Sequence, residues 1–282
     1  MIADSRLRCF MNLESFDSIP LKPAGGLEAI RDAGYAGVQF GRPVDRARKE
    51  EALRLGLGIC GLGRVNKPGD AEALAKEARD EGLECLTLFV GWGLEDDDTV
   101  GTMIHAILEA SAKHDVPLYP ELHRSTVFQD PWRTVQHLKR FPGLEFNGDF
   151  SHWYTGTEML YGGMEVKINF IRPVLGRIGF MHGRIGSPGC IQVDIGEGKV
   201  SEHPFVGHFR ELWTESFLGF LRRRPATDRF CFATELLGPE IYYARTFDGR
   251  EESNRWEQSL VLSRIARECF AEAEKKAEIE GR

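Results

Sequence analysis

The six cysteines of the chain, Cys9, Cys60, Cys85, Cys190, Cys231 and Cys269, include no Cys-x-x-Cys pair, so the usual zinc-ribbon and thioredoxin-type spacings are missing. Four of them (Cys9, Cys60, Cys85 and Cys231) sit in apolar runs where a free thiol packs as a small hydrophobe, and a reducing cytoplasm is the expected setting. No run approaches the roughly 18 apolar residues that span a bilayer. The first residues carry Asp4, Arg6 and Arg8 with no apolar signal-peptide core, so a soluble, unexported protein without a membrane partner is expected. Positive charge is also in deficit: 36 Lys and Arg face 43 Asp and Glu, for a formal net charge of −7. Nucleic-acid binders usually carry a basic field that releases counterions, so no nucleic-acid partner is expected, and a small neutral or polyol substrate fits better. A Gly-rich dinucleotide fingerprint after the first apolar run is lacking, which weighs against an open Rossmann sheet. Low-complexity tracts, linkers and repeats are missing too.

Alternation is what the sequence does contain. Eight short apolar or β-branched runs fall at 8–12, 36–40, 57–61, 85–91, 117–121, 144–149, 178–182 and 230–235. Segments of helical period lie at 26–33, 45–55, 70–81, 99–114, 131–139, 159–175, 206–223 and 254–277. Gly34, Gly56 and Gly82 stand where a helix ends and the next strand begins, and Asp70 can cap a helix over 71–81. Helix, glycine and apolar strand in repeated succession is the turn chemistry of a parallel α/β fold. Strand starts lie near one βα-unit length apart except for the last interval, whose excess lies mainly in the Gly-rich segment 186–205. The pattern predicts an α/β protein, one (β/α)8 TIM barrel domain over 1–282 with a long loop after strand 7 serving as a lid, an interaction surface or a solvated excursion. That loop and the terminal helix offer surfaces for a homo-oligomer.

Glu121, Asp149, His182 and Glu235 each close one of the last four apolar runs. Burying a charge at a strand end costs several kcal/mol unless it is paired or bound to a cation. Any one of these alone is as readily an acid paired with a nearby arginine. Four in one half of the chain point to a metal site, because strand ends converge on one face of a barrel. Three oxygen donors and one imidazole make a hard donor set suited to manganese, magnesium or cobalt. His123, His152 and Arg184 follow these positions closely enough to share the cavity, with a barrel-bracing salt bridge the alternative for His123 and Arg184. Trp92, after the fourth strand, can stack on a sugar ring or pack at the mouth. His105, His114 and His137 fall on helices and are expected at the surface, while His203 and His208 border the long loop. Arg222–Arg224 reads as a solvated helix cap, and Gly186-Ser187-Pro188-Gly189 is a weak phosphate-loop candidate.

Through Glu121, Asp149-x-x-His152, His182-x-Arg184 and Glu235, the chain resembles the xylose-isomerase-like TIM-barrel superfamily of sugar isomerases and epimerases, which also contains apurinic endonucleases. The resemblance implies that the four residues bind one divalent cation, usually manganese, and that Glu121 and Glu235 also move protons. The endonuclease branch would carry extra histidines at the third and fourth strands and an Asp-x-His downstream. Here those regions read Ile59-Cys60-Gly61-Leu62-Gly63, Phe89-Val90-Gly91-Trp92-Gly93 and Asp194-Ile195-Gly196. The expected function is a metal-dependent isomerase or epimerase acting on a keto-sugar through a cis-enediolate, with His152, Arg184, His123 and Trp92 toward substrate. An oxo-sugar lyase, deglycosidase or decarboxylase using the same enolate chemistry is the alternative, with His123 as its acid. An endonuclease-like hydrolase and a non-catalytic sugar-binding barrel are more distant.

Overall fold

A computed structural model describes residues 6–281. Eight parallel strands, β1 (Leu7–Asn12), β2 (Gly37–Phe40), β3 (Gly58–Val65), β4 (Leu86–Val90), β5 (Leu118–Pro120), β6 (Phe146–Asn147), β7 (Ile178–Gly183) and β8 (Phe230–Thr234), match the eight expected runs. They pair in the order β5-β4-β3-β2-β1-β8-β7-β6. A parallel bridge between Glu121 and Asn147, with the Leu122 amide donating to the Asn147 carbonyl at 3.0 Å, joins the outer two strands. The fold is a single (β/α)8 barrel.

The helices are α1 (Leu13–Asp17), α2 (Leu27–Asp32), α3 (Arg46–Arg54), α4 (Pro68–Glu81), α5 (Asp97–His114), α6 (Pro131–Arg140), α7 (Phe150–Gly156), α8 (Met164–Leu175), α9 (Pro204–Arg223) and α10 (Arg255–Glu280). Gly34, Gly56 and Gly82 follow α2, α3 and α4 with φ of 85°, 75° and 70°, the left-handed exit expected of them. Asp70 is not the cap of α4: the helix starts at Pro68, and the carboxylate reaches back to the amides of Asn66 (2.9 Å) and Lys67 (3.1 Å). Proline is tolerated at a first helical position because its missing N–H would be unpaired there. The helix expected from 159 begins only at Met164, since Gly162 and Gly163 take φ of 80° and 93°.

Alternation along each strand divides the core in two. Phe10, Cys60, Cys85, Tyr119, Phe180, Cys231 and Ala233 fill the barrel interior, while neighbours such as Ile59, Val65 and Met181 pack against the helices. One step nearer the carboxyl ends, the interior turns polar: Asn12, Gln39, Thr87, Glu121, Asn147 and His182 are all buried. The barrel thus has an apolar floor beneath a hydrogen-bonding layer, which must be satisfied internally to be tolerated.

Three surface expectations change. His137 is buried on the inner face of α6, edge-on to Phe128 with ring centroids 6.2 Å apart. His114 is half-buried and meets Glu72 at 2.9 Å. Arg223 and Arg224 are not a solvated cap, because both reach half-buried Glu145 (2.9 and 2.5 Å). The long segment between β7 and α9 is present, with Ile185, Ile191, Val193 and Ile195 buried beneath it. A second excursion, between β8 and α10, was not anticipated. It carries a short hairpin, β9 (Thr246–Phe247) and β10 (Arg250–Glu251), turned by Asp248 and Gly249, both at positive φ. The two excursions are tied together: Gln192 and Leu237 exchange side-chain-to-backbone bonds of 3.0 Å each, and Glu252 accepts the Asp194 amide at 3.1 Å. Among the described residues no helix is long and apolar enough to cross a membrane.

Gly219 marks the tightest helix contact. A Cβ there would lie 2.7 Å from the Gly176 Cα and 3.1 Å from the Leu175 carbonyl oxygen, both backbone atoms that cannot rotate away. Gly219→Ala should therefore destabilise the fold by about 1–3 kcal/mol through overpacking, despite the better helix propensity of alanine. Urea denaturation measures it; an unchanged or raised midpoint would show that α8 and α9 separate without cost.

Candidate metal centre

Glu121 follows β5, Asp149 follows β6, His182 lies in β7 and Glu235 follows β8, so four consecutive strands deliver their ends to one point. One ligand-type atom from each lies within 4.8 Å of the others, and all four residues are buried. His182 Nδ1 stands 3.4 Å from Glu121 Oε2 and 3.6 Å from Glu235 Oε2. Its Nε2 lies 2.9 Å from Gln39 Oε1, an oxygen that also accepts from Asn12 Nδ2 at 3.0 Å. Gln39 Nε2 points to Thr87 Oγ1 at 3.4 Å, so the amide's orientation is set and Nε2 of the histidine is the donor. Nδ1 is thereby directed at the carboxylates. Asn147 steadies the ring from the other side, accepting the His182 amide at 2.9 Å and placing Nδ2 3.0 Å from Nδ1.

Asp149 caps α7, accepting the Ser151 amide at 3.1 Å. Its other oxygen takes Arg184 Nη2; the same guanidinium gives Nε to Ser151 Oγ (3.0 Å) and sets Nη1 3.2 Å from Glu235 Oε2. His152 Nε2 lies 3.4 Å from Asp149 Oδ2 and 3.2 Å from Arg184 Nη2. Burial works against every charge here, but the neighbours win at two positions. The Asp149 carboxyl, penalised by burial, is held well below its usual range by Arg184 and His152. His182, penalised likewise, is pushed up to about 9 by Glu235 and Glu121. Burial prevails at Glu235, whose carboxyl is raised despite His182 and Arg184, and at His152, whose imidazole is lowered.

Once His182 gives up its proton, as a metal ligand must, three carboxylates and one guanidinium leave a charge of −2. Both oxygens of buried Glu121 lack a hydrogen-bond partner among the described residues. A buried carboxylate without a hydrogen bond is expensive even with His182 Nδ1 3.4 Å away, and a divalent cation taking the place of the His182 proton would bind it and bring the cluster to neutrality. The residues fit such an ion.

Around this cluster stands a wall of rings. His123 and His152 lie with ring centroids 3.7 Å apart, and His123 is lowered to about 2, first by burial and then by its imidazole neighbour. His123 donates Nδ1 to the Arg124 carbonyl and leaves Nε2 3.4 Å from the Tyr243 hydroxyl. Glu121, His123 and His152 also bring ligand atoms within 4.8 Å of one another. Tyr243, from the β8–α10 excursion, lies under the Arg184 guanidinium at 4.6 Å. Trp92 is exposed at the rim, its ring carrying Arg64 at 4.0 Å. Of the remaining histidines, His208 meets the Tyr154 hydroxyl at 2.8 Å, and His203 precedes α9. Ser187 and Cys190 close a backbone turn in the Gly-rich segment.

Sequence reasoning missed Asn12, Gln39, Thr87, Asn147, Ser151 and Tyr243. Polar residues at even steps along apolar runs, as in Gly37-Val38-Gln39-Phe40, were the available signal for the amides. Tyr243 had no such signal, because its place depends on how an irregular loop folds.

No protein-family model matches the chain, and no curated protein matches it in sequence. Several solved structures do match in shape. The probable 3-DHS dehydratase AsbF from Bacillus anthracis aligns with a TM-score of 0.59 and 16% identity, covering 91% of this chain and 98% of that one. A xylose isomerase-like TIM barrel protein from Mycobacterium smegmatis, in complex with magnesium, gives 0.54 and 16%, covering 92% and 97%. Endonuclease IV from Thermus thermophilus gives 0.50 and 18%, covering 94% and 99%. Identities this low speak for the fold alone: the chain shares its (β/α)8 barrel with these proteins, xylose isomerase-like TIM barrels among them.

Proposed function

We propose that this barrel is a divalent-metal-dependent carbohydrate isomerase or epimerase acting on a keto-sugar through a cis-enediolate. The observation that carries the reading is the convergence of buried Glu121, Asp149, Glu235 and His182, with both Glu121 oxygens free of hydrogen bonds and His182 Nδ1 aimed at two carboxylates. Glu121, Asp149, His182 and Glu235 would hold the ion, with manganese the best fit and magnesium or cobalt as substitutes. When bound, the ion would act as a Lewis acid on a substrate carbonyl and acidify the adjacent C–H. Glu121 and Glu235 are the base and acid, one removing the proton and the other returning it. Arg184 holds Asp149 and Glu235 in place, while His152, His123 and Tyr243 face the substrate's hydroxyls across the wall. The magnesium complex of the Mycobacterium smegmatis barrel supports a hard divalent ion in this fold.

A second reading uses the same enolate for elimination. The Tyr243 hydroxyl, 3.4 Å from the unprotonated Nε2 of His123, offers the proton for a leaving group at the mouth in place of His123 itself, and the structurally similar AsbF is a probable dehydratase. Both readings require a C–H bond next to a carbonyl to break. The metal-loaded protein, incubated in heavy water with a panel of ketoses and oxo-sugars, should place deuterium at that carbon, or else show a slowed rate with substrate deuterated there. Product analysis then separates isomer from eliminated species. If neither exchange nor an isotope effect occurs while chemistry limits turnover, proton abstraction is not the reaction.

A further inference from the structure

We propose that the substrate carries a carboxylate and that Arg64 receives it; the inference rests on the barrel mouth being the reaction site, as above. β3 is the longest barrel strand, and Arg64 stands on its interior-facing register two steps beyond Leu62 and four beyond Cys60. Its register partner is Phe89 of β4. The guanidinium lies over the rings of Phe89 (5.2 Å) and Trp92 (4.0 Å), and Nη1 donates to the Gly91 carbonyl at 2.8 Å. Phe89 meets His123 edge-on at 4.9 Å, so Arg64 belongs to the same wall as His123 and His152.

What Arg64 lacks is a carboxylate in contact, since Glu121 and Glu95 act on it only from a distance. Arg184 is balanced by Asp149 and Glu235, whereas no carboxylate among the described residues lies within 4.0 Å of the Arg64 nitrogens. Once a divalent ion neutralises the inner cluster, Arg64 is a half-buried cation left facing the cavity. Two aromatic faces and one backbone carbonyl hold the guanidinium plane in orientation, with Nε and Nη2 uncommitted. A pre-oriented planar fork suits a planar, singly charged carboxylate. A phosphate, with about −1.5 to −2 charge, calls for more than one cation or a helix N-terminus.

The test is calorimetric titration of the full-length protein with gluconate and with sorbitol, which share a carbon chain and differ at one end in carboxylate against alcohol. Wild type, Arg64→Met and Arg64→Lys are compared, each metal-free and manganese-loaded, with sorbitol 6-phosphate as a third ligand. Gluconate should bind wild type about 10- to 100-fold more tightly than sorbitol, as expected for a charge-assisted pair. The preference should collapse in Arg64→Met and survive in part in Arg64→Lys. It should be smaller but still Arg64-dependent without metal. A gluconate preference that outlives Arg64→Met would place the carboxylate on the ion or elsewhere and overturn the assignment. So would no preference or no binding in wild type, or tighter Arg64-dependent binding of the phosphate. The metal-free comparison stands whether or not the protein binds manganese, so failure of the metal reading and failure of the Arg64 assignment are told apart.

Discussion

Glu235→Gln is expected to cut turnover by about 10²–10⁴-fold at saturating metal while the protein stays folded. The glutamine keeps the volume and can still accept from Asn12 Nδ2, 3.3 Å from Glu235 Oε1. It loses the negative oxygen that faces Arg184 Nη1 and His182 Nδ1 at 3.2 and 3.6 Å. The cluster's charge falls from −2 to −1, so divalent-ion affinity should drop as well. Measuring the rate against manganese concentration separates the two effects. A variant restored to full turnover by excess metal has lost only a ligand, and normal turnover throughout would make Glu235 a bystander.

Arg184→Met should destabilise the metal-free protein by about 3–5 kcal/mol, the cost of leaving a buried charge without its partner. Arg184 and Asp149 are both fully buried, and the guanidinium also spans Ser151 and Glu235. Without it, three carboxylates share a cavity with the imidazoles of His182 and His152. Manganese should recover part of the loss, because a dication replaces some of the missing positive charge and stabilises whichever state binds it. Denaturation midpoints with chelator and with manganese give the comparison. Equal losses in both conditions would mean that the ion does not share the electrostatics of Arg184.

The barrel was legible because its signals are local and repeated. Gly34, Gly56 and Gly82 each end a helix for the same stereochemical reason, and the apolar runs between them need no long-range information. The four acid and imidazole positions were legible too, since a charge closing a buried strand is conspicuous in one dimension. The amide layer was harder. Gln39 and Asn147 look like ordinary polar breaks in short strands, and only the closed barrel aims both at His182. Asp70 and Met164 shifted because Pro68 and the Gly162-Gly163 pair set helix starts more strongly than the capping pattern or the periodicity used to place them. His137 misled because one turn of α6 was read without the neighbour that covers it. The hairpin around Asp248-Gly249 had a usable dipeptide signal but strands of only two residues each. Tyr243, carried on the same excursion, is the residue whose place at the mouth no pattern would have disclosed.

Gln192, Leu237, Asp194 and Glu252 bind the two long excursions to each other. The two excursions are therefore one joined unit of structure rather than two independent loops. An engineer who transplants the segment bearing Tyr243 into a related scaffold, and leaves the host's own seventh loop in place, strands both halves of the Gln192–Leu237 exchange and the Glu252 acceptor. Moving both segments together preserves the joint, and recombination between them would be selected against wherever the mouth's shape matters.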